Sequence, residues 1–415
     1  MLTGQILLQL VMILLVVQLF GNLSKRIGQQ WVIGEILAGL ALGPSLLGAL
    51  WPGLEVQVFP VSSLPTLQTL GDIGLVLYMF SLGAQIDINL MLSQKRSAVI
   101  VSVSGIIFPL GMGALLGFFL YPGLAGPKAT PFSFALLIGT VMAITAFPVL
   151  ARLLSEKKML GTKIGMLALT CASAVDVIAW CLLAFVVALI HAQGTASAVL
   201  TIGLTALFIG LMLLGVRPLF NYAIQHIQSS QLRIVLSFIL LLLSAYTTNA
   251  IGIHPIFGAF LAGIILPRNS VFTAQIHSLD MVNNVLFLPL FFVFSGLRTQ
   301  LGLIQSPALW LLCLLVLAVA CVGKISGTTL SGRVMGETWR EALSLGLLMN
   351  TRGLVELIVL NIGLSLGVLS PTLFAMLIIM AVVTTMMASP LLPLLGYRSV
   401  AVEVAREEAV EQAVS

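Results

Sequence analysis

The chain has 415 residues, of which 59% are hydrophobic and only 8% are charged, and its formal net charge is +5. So few charged residues cannot cover the surface of a soluble domain of this length. Together with a mean hydropathy of +1.14, this composition excludes a soluble protein and indicates one that crosses a membrane several times. The small positive charge gives no indication of nucleic-acid binding.

The apolar segments have the length of helices. They run for about 20 residues, twice the length of a barrel strand, and only helices and closed barrels satisfy the backbone in lipid. We therefore predict an all-α polytopic membrane protein. The four cysteines lack metal-ligand spacing and no Walker-type phosphate-binding pattern occurs. We accordingly predict no cofactor, no enzymatic activity and no ATP-driven transport.

Twelve polar breaks in the hydropathy predict about 13 transmembrane helices in chain order. The seventh, at about residues 197–220, lies in the middle as a linker helix. It separates two six-helix segments, at about residues 5–192 and 232–395, within a single transmembrane unit of residues 1–395. Residues 396–415 are acidic and are predicted to form a short cytoplasmic tail.

The basic residues predict the orientation of this unit. Alternate breaks and the C-terminal tail contain 15 of the 19 Lys and Arg residues. Cytoplasmic loops are the ones enriched in these residues. The N-terminus is therefore predicted to lie outside and the C-terminus in the cytoplasm, in a plasma or inner membrane or an internal energised membrane.

Two pairs of segments resemble each other within the chain. Leu75–Leu90 is similar to Leu286–Leu301, and Ile36–Pro44 is similar to Phe260–Pro267. An odd number of predicted helices separates the members of each pair, so the second copy enters the membrane in the opposite direction. Inverted repeats are typical of secondary transporters, which hold their substrate between the repeats. The alternative is the generic similarity of apolar helices.

A single carboxylate, Asp176, lies inside the apolar helix around residues 170–184. No other charged residue occurs between Lys163 and Arg217, and a charge at this depth costs roughly 2.5–3.5 kcal/mol. Asp176 is therefore expected to face a partner charge or a water-filled cavity, where it can bind a cation or a proton. The alternative is a protonated carboxyl group that bonds to a neighbouring helix.

Further ionisable residues lie in or near the predicted helices. Glu35 and Asp72 are close to helix starts, which favours interfacial roles. Lys324 is midway along its helix, and an ion pair with Asp176 would lower the cost of burying both charges. A cation that binds Asp176 would break this pair and allow the lysine to release a proton, which gives coupled exchange. The alternative for Lys324 is that its ammonium group reaches an aqueous edge.

Two predicted helices contain breaks. Ala143–Leu150 places Pro148 inside a span, which frees the carbonyl near Ile144 and exposes the polar Thr145. Leu348–Leu357 places a polar run inside another span. This run comprises Asn350, Thr351, Arg352, Gly353 and Glu356. Broken helices expose carbonyls and helix ends that can bind ions. Arg352 and Glu356, four residues apart, are predicted to pair as a structural clamp; a proline kink without function is the alternative reading of the first break.

Six strings resemble the monovalent cation:proton antiporter-2 family, and most closely the plant cation/H+ exchangers and their bacterial relatives. They are GEILAGLALGPSLLG (Gly34–Gly48), LVLYMFSLGAQIDINLM (Leu75–Met91), AITAFPVLARLLSE (Ala143–Glu156), IGIHPIFGAFLAGIILPR (Ile251–Arg268), PLFFVFSGLRTQLGL (Pro289–Leu303) and LLMNTRGLVELIVLNIG (Leu347–Gly363). The resemblance covers about residues 5–395. It implies a 13-helix sodium/proton antiporter fold with discontinuous crossed helices, and interleaved dimerisation and mobile core subdomains.

The resemblance also implies residue roles. Asp176 matches the cation-binding aspartate, and Lys324 matches the lysine that pairs with it. Thr145 and Asn350–Gly353 match the unwound parts of the crossed helices.

We therefore interpret the chain as a homodimeric antiporter in pH homeostasis that exchanges protons for Na+ or K+ in contact with membrane lipid. Asp176, Thr145 and Ser173 bind the cation or proton, with Asp176 as the ligand of Na+ or K+, and Lys324 is the counter-charge. The crossed helices are supported by Ile144, Pro148, Asn350, Thr351, Arg352, Gly353 and Glu356.

One position departs from the family. Val175 precedes Asp176, where relatives carry a polar residue in doublets such as Asp-Asp, Asn-Asp or Gln-Asp. The choice between Na+ and K+ and between electrogenic and electroneutral exchange therefore stays open. Two alternative functions also stay open: a channel-like cation efflux pathway, although no filter-like repeat is present, and a transport-inactive relative that serves as a sensor or scaffold.

Overall fold

The computed structural model of the chain describes residues 2–85, 96–159, 162–191, 195–267 and 280–396. Within these ranges the chain is helical, apart from connecting loops and one isolated antiparallel bridge between Ala125 and Leu369. The predicted tail, beyond residue 396, lies outside the described residues. The prediction of an all-α membrane protein is confirmed.

In the described residues of the first half of the chain there are nine α-helices. They are α1 (Leu2–Arg26), α2 (Trp31–Leu42), α3 (Leu47–Leu50), α4 (Pro52–Val58), α5 (Leu64–Gln85), α6 (Arg96–Leu124), α7 (Pro131–Ala143), α8 (Phe147–Glu156) and α9 (Lys163–His191). The second half contains α10 (Thr195–Gly210), α11 (Arg217–His226), α12 (Ser230–Ile251), α13 (Pro255–Ile264), α14 (Leu288–Leu297), α15 (Pro307–Val334), α16 (Trp339–Met349), α17 (Leu354–Ser365) and α18 (Pro371–Leu394). A π-helical turn, Leu211–Val216, joins α10 to α11 within one continuous rod.

Ten helical rods in the described ranges are long and apolar enough to cross a membrane, and the bent pair of α16 and α17 makes an eleventh. Two shorter apolar helices, α7 and α13, fall below spanning length. The difference from the predicted count of about 13 arises because α7 stops at a break before α8, and because α13 is short. The exact count and the six-helix repeats stay predictions.

The chain divides into two compact units that are each assembled from separate stretches. The first comprises Met1–Gln18, Glu35–Ile88 and Trp180–Arg298. The second comprises Leu19–Gly34, Asn89–Ala179 and Thr299–Ser415. The predicted division into a dimerisation and a core subdomain stays a prediction.

In the second unit, small residues bring three helices together. Gly113 and Gly117 of α6 face α7 so closely that a Cβ on Gly117 would lie 2.7 Å from the Cα of Ala135. On α15, a Cβ on Gly323 would lie 3.1 Å from the Cα of Pro109 in α6. Close approach of this kind is how membrane helices pack without a hydrophobic driving force between them. It places the residue after Gly323, Lys324, deep within this unit.

Two glycine contacts occur at corresponding positions of the chain. A Cβ on Gly34 of α2 would lie 2.6 Å from the backbone of Phe20 and Gly21 in α1. A Cβ on Gly258 of α13 would overlap the backbone of Ser244 in α12. Gly34 and Gly258 are separated by the same number of residues as Phe20 and Ser244. Such a match between two helix pairs is what an internal repeat predicts.

Candidate functional site

The first helix break lies between α7 and α8, where Ile144, Thr145 and Ala146 leave the helical conformation. Ile144 has extended backbone angles of φ −68° and ψ 141° and is fully buried. Pro148 lies in the first turn of α8, where proline is favoured because its missing N–H would have no helical partner there. The predicted break at this position is confirmed.

The second break lies between α16 and α17, which are bent by 44° relative to each other. It comprises Asn350, Thr351, Arg352 and Gly353. The Thr351 hydroxyl donates to the carbonyl of Leu348 at 2.8 Å, and the Asn350 amide donates to the sulfur of Cys321 at 3.7 Å. Thr351 therefore donates to a backbone carbonyl at the end of α16, whereas Asn350 joins the break to the side chain of Cys321 in α15.

The two breaks contact each other directly. The N–H of Ala146 donates to the carbonyl of Thr351 at 3.1 Å, and the hydroxyl of Thr145 donates to the carbonyl of Met349 at 2.7 Å. The predicted discontinuous helices therefore exist, and they meet at the residues that interrupt them.

Asp176 of α9 lies at the first break. Its side chain is 1% exposed, and its Oδ2 accepts a hydrogen bond from the N–H of Phe147, the first residue of α8, at 3.3 Å. The N-terminus of a helix carries partial positive charge and unsatisfied N–H groups, so it favours an anion. Asp176 Oδ1 is buried and has no hydrogen-bond partner among the described residues. One carboxylate oxygen is thus held in place while the other remains available for a ligand.

Ser173, which the sequence assigns to the same site, does not bond to Asp176 in this conformation. Its hydroxyl donates to the carbonyl of Thr170 in its own helix at 2.9 Å. Its predicted role in binding stays a prediction.

Lys324 of α15 is fully buried and is held by backbone oxygens. Its ammonium group donates to the carbonyl of Gly105 in α6 at 2.8 Å and to that of Ala143, the last residue of α7, at 2.5 Å. In the described part of the chain no ion pair joins Lys324 to Asp176, so the direct contact expected from the sequence is absent from this conformation. The carbonyls of Gly105 and Ala143 accept hydrogen bonds from the buried ammonium group, where the sequence predicted a carboxylate partner. The role of Lys324 as counter-charge stays a prediction.

Arg352 and Glu356 form the predicted ion pair at 3.2 Å, and both side chains are completely buried. Arg352 also reaches the first break: Nη1 donates to the carbonyl of Val141 at 2.7 Å and Nη2 to that of Met142 at 3.1 Å. Lys324 binds the carbonyl of Ala143, so the positively charged side chains of Arg352 and Lys324 bind the last three carbonyls of α7. The C-terminus of a helix carries partial negative charge, and these two side chains compensate it.

Several contributors to this site were missed by sequence reasoning. Phe147, Ala143 and Gly105 contribute only backbone groups. For Gly105 a signal existed: Pro109 lies inside α6 and has no N–H to donate to the carbonyl four residues before it. Thr385 of α18 contacts the backbone of Arg352 through its hydroxyl. A lone threonine in an apolar helix gives no signal of this contact, because such hydroxyls usually bond to their own helix.

The sequence of the chain matches a known family model. The family model for the transmembrane sodium/hydrogen exchanger matches residues 11–395. The chain belongs to the sodium/hydrogen exchanger family. The resemblance stated from the sequence strings is thereby confirmed.

Relatives of known description are similar over almost the whole chain. The Na+/H+ antiporter NhaS4 of Synechocystis is 43% identical over 93% of this chain and 96% of its own length. The cation/H+ antiporter 15 of Arabidopsis thaliana is 35% identical, over 94% of this chain and 48% of the relative. The K+/H+ antiporter 1 of Saccharomyces cerevisiae is 32% identical, over 93% and 46%. This exchanger chain thus spans about half the length of its plant and yeast relatives.

One solved structure supports the fold. The sodium proton antiporter MjNhaP1 of Methanocaldococcus jannaschii superposes with a TM-score of 0.70, covering 94% of this exchanger chain and 96% of that chain. Their sequences are 17% identical, so this likeness concerns the fold alone. It confirms the predicted sodium/proton antiporter fold.

Proposed function

We propose that this exchanger is a secondary antiporter that moves protons against Na+ or K+ by alternating access, with Asp176 as the shared site. One observation carries the proposal. Asp176 is buried at the N-terminus of α8 with one oxygen bound by the N–H of Phe147 and the other without a partner in the described residues. A carboxylate in this setting can accept a cation or a proton.

The exchange follows from competition at one carboxylate. A monovalent cation needs the negative charge of Asp176, and protonation removes that charge, so the two ligands exclude each other. If the site opens to one side of the membrane at a time and changes sides only when occupied, inward movement of protons drives outward movement of cations. The relatives named as Na+/H+ and K+/H+ antiporters support this class of exchange.

The neighbouring groups have distinct roles in this proposal. The hydroxyl of Thr145 and the carbonyls at the two breaks replace water around the cation, and Ser173 contributes after a change of its hydroxyl orientation. Lys324 supplies a positive charge near Asp176 that stabilises the empty carboxylate. Arg352 and Glu356 hold the breaks together. The protein acts as a homodimer, with its N-terminus outside and its C-terminus in the cytoplasm.

Proton flux in proteoliposomes tests the proposal. The purified protein is reconstituted with a pH-sensitive dye inside the vesicles, and Na+, K+ and Li+ gradients are imposed in turn. We expect cation-dependent proton movement in the wild type and none in Asp176→Asn, whose amide cannot exchange a proton. Glu55→Gln, a carboxylate-to-amide change in the short helix α4, is the matched control and should exchange like the wild type.

Three outcomes would overturn the proposal. Full exchange by Asp176→Asn would remove Asp176 from the mechanism. Cation flux without proton counter-movement would favour a channel-like pathway. Exchange that appears only after Val175→Asp would indicate that the natural chain does not transport.

A further inference from the structure

Thr385 of α18 binds the second break at Arg352, through both the N–H and the carbonyl group of that residue. The Thr385 hydroxyl of α18 accepts a hydrogen bond from the N–H of Arg352 at 3.0 Å. Its own proton is shared between two acceptors, the carbonyl of Arg352 at 2.8 Å and that of Ala381 at 2.7 Å. Thr385 is only 4% exposed, so water does not replace these bonds when they are lost.

From this threonine, a continuous series of hydrogen bonds and covalent bonds leads to Asp176. The carbonyl of Thr351, which belongs to the peptide bond before Arg352, accepts the N–H of Ala146 at 3.1 Å. The next N–H along the chain is that of Phe147, and it donates to Asp176 Oδ2 at 3.3 Å. Thr385 is therefore linked, through the backbone of both helix breaks, to the N–H group that orients the carboxylate.

Asp176 and Thr385, the two ends of this series, occupy similar positions in their helices. Asp176 lies near the midpoint of α9, and Thr385 lies near the midpoint of α18. Each accepts an N–H at the break that precedes its own helix in the chain: Asp176 from Phe147, directly after the first break, and Thr385 from Arg352, within the second break. The half-helices before these breaks also begin alike, with capping boxes at Thr130 for α7 and at Thr338 for α16. The same hydrogen-bond arrangement thus occurs twice, with a carboxylate acceptor at Asp176 and a neutral hydroxyl acceptor at Thr385.

We propose that Thr385 is a positioning residue for cation binding at Asp176, acting through the backbone of Arg352 and Thr351. The inference rests on the proposed function of Asp176 as the exchange site. Removing the hydroxyl leaves the buried N–H of Arg352 without its partner and frees the second break to shift. The N–H of Phe147 then holds Asp176 less firmly, and cation binding needs a well-ordered set of oxygen ligands.

Threonine variants test this inference in the proteoliposome assay. Thr385→Val keeps the shape of the side chain and removes the hydroxyl. We expect a rise of about tenfold in the KM for the cation, the size expected for one lost buried hydrogen bond, with a much smaller change in maximal rate. Thr385→Ser restores the hydroxyl and should return KM to the wild-type value. A residue that matters only for folding would lower the amount of active protein and leave KM unchanged.

The neighbouring Thr384 provides a matched control. It is buried as well, with an exposed fraction of 0% against 4% for Thr385, but within the described residues its hydroxyl bonds only to Met380 and Ala381 of its own helix. Thr384→Val makes the same chemical change one residue away and should leave KM unchanged. Thermal unfolding of all three variants in detergent checks that each is folded at the assay temperature.

The outcomes separate this inference from the function on which it rests. Exchange that persists in Asp176→Asn overturns the proposed function, whatever the threonine variants do. If Asp176→Asn abolishes exchange while Thr385→Val and Thr384→Val have the same KM, the positioning role of Thr385 is wrong and the proposed function stands. Failure of Thr385→Ser to restore KM would likewise contradict the role of the hydroxyl.

Discussion

The ammonium group of Lys324 donates a hydrogen bond to the carbonyl of Ala143 at 2.5 Å, at the end of helix α7. Its second acceptor is the carbonyl of Gly105 at 2.8 Å. In this conformation the lysine therefore joins three helices, α15, α6 and α7, through backbone oxygens. These hydrogen bonds give Lys324 a structural role that is separate from the counter-charge role proposed for it.

We expect replacement of Lys324 to destabilise the protein in an order set by the number of hydrogen-bond donors. Lys324→Met leaves two buried carbonyls without a donor, at about 1–3 kcal/mol each. Relief of the buried charge offsets part of this cost. Lys324→Gln keeps an uncharged NH2 group with two N–H donors, one fewer than the ammonium group, and should lie between Met and the wild type. The thermal midpoint in detergent measures the order.

Lys158→Met is the control for this series, because Lys158 is exposed. It should unfold at the wild-type temperature. A midpoint for Lys324→Met equal to or above that of the wild type would mean that the cost of burying the ammonium exceeds the value of its two hydrogen bonds.

Thr145 should contribute to cation affinity because its hydroxyl joins the two breaks at the carbonyl of Met349. Thr145→Val removes that bond and an oxygen beside the site, and we expect KM for the cation to rise about tenfold. Thr140→Val is the matched control. Thr140 is equally buried in α7, but its hydroxyl bonds to Leu136 of the same helix. Equal KM values in the two variants would exclude a ligand or positioning role for Thr145.

The breaks could be predicted from sequence because their residues are unsuited to apolar helices. Pro148 removes a helical donor, and the polar run that begins at Asn350 is costly in lipid. The pairing of Arg352 with Glu356 followed from helical spacing. These local signals placed both breaks and the ion pair where the structure has them.

Other features depend on backbone groups that the sequence does not distinguish. The expected contact between Lys324 and Asp176 is replaced by carbonyls of Gly105 and Ala143. Pro109 indicates that the carbonyl of Gly105 lacks its helical donor, but no residue type indicates that Lys324 binds it. Likewise the N–H of Phe147 can donate a hydrogen bond to Asp176 because α8 begins at Phe147 and leaves this N–H without a helical acceptor. Which backbone groups converge is decided by how the breaks cross, and composition and spacing do not reveal that.

The buried pair of Arg352 and Glu356 should show strong coupling. Arg352→Met leaves Glu356 as an unpaired buried charge. It also removes the N–H groups that donate to the carbonyls of Val141 and Met142. We expect a loss of about 3–5 kcal/mol, the usual cost of breaking a buried pair. The double variant Arg352→Met with Glu356→Met removes both charges, and it should be more stable than Arg352→Met alone.

Glu356→Gln is the mild member of this set. Its amide oxygen can still accept from Arg352, so its thermal midpoint should fall less than that of Arg352→Met. The single variant Glu356→Met completes the cycle, and additive effects of Arg352→Met and Glu356→Met in the double variant would contradict a direct pair, because coupled residues give non-additive changes.

Gly263 of α13 provides a test of helix packing in the first unit. A Cβ at this position would overlap the carbonyl oxygen of Phe80 in α5 and would lie 2.9 Å from the backbone nitrogen of Ala84. Neither backbone atom can move without shifting α5, so we expect Gly263→Ala to cost about 1–3 kcal/mol through overpacking. Gly203 of α10 has no neighbouring atom within 4 Å of the added Cβ. Gly203→Ala should instead stabilise its helix by about 0.5–1 kcal/mol, because alanine loses less backbone entropy than glycine. The same substitution is therefore expected to change the thermal midpoint in opposite directions at the two positions, and a rise at both would refute the close approach of α13 and α5.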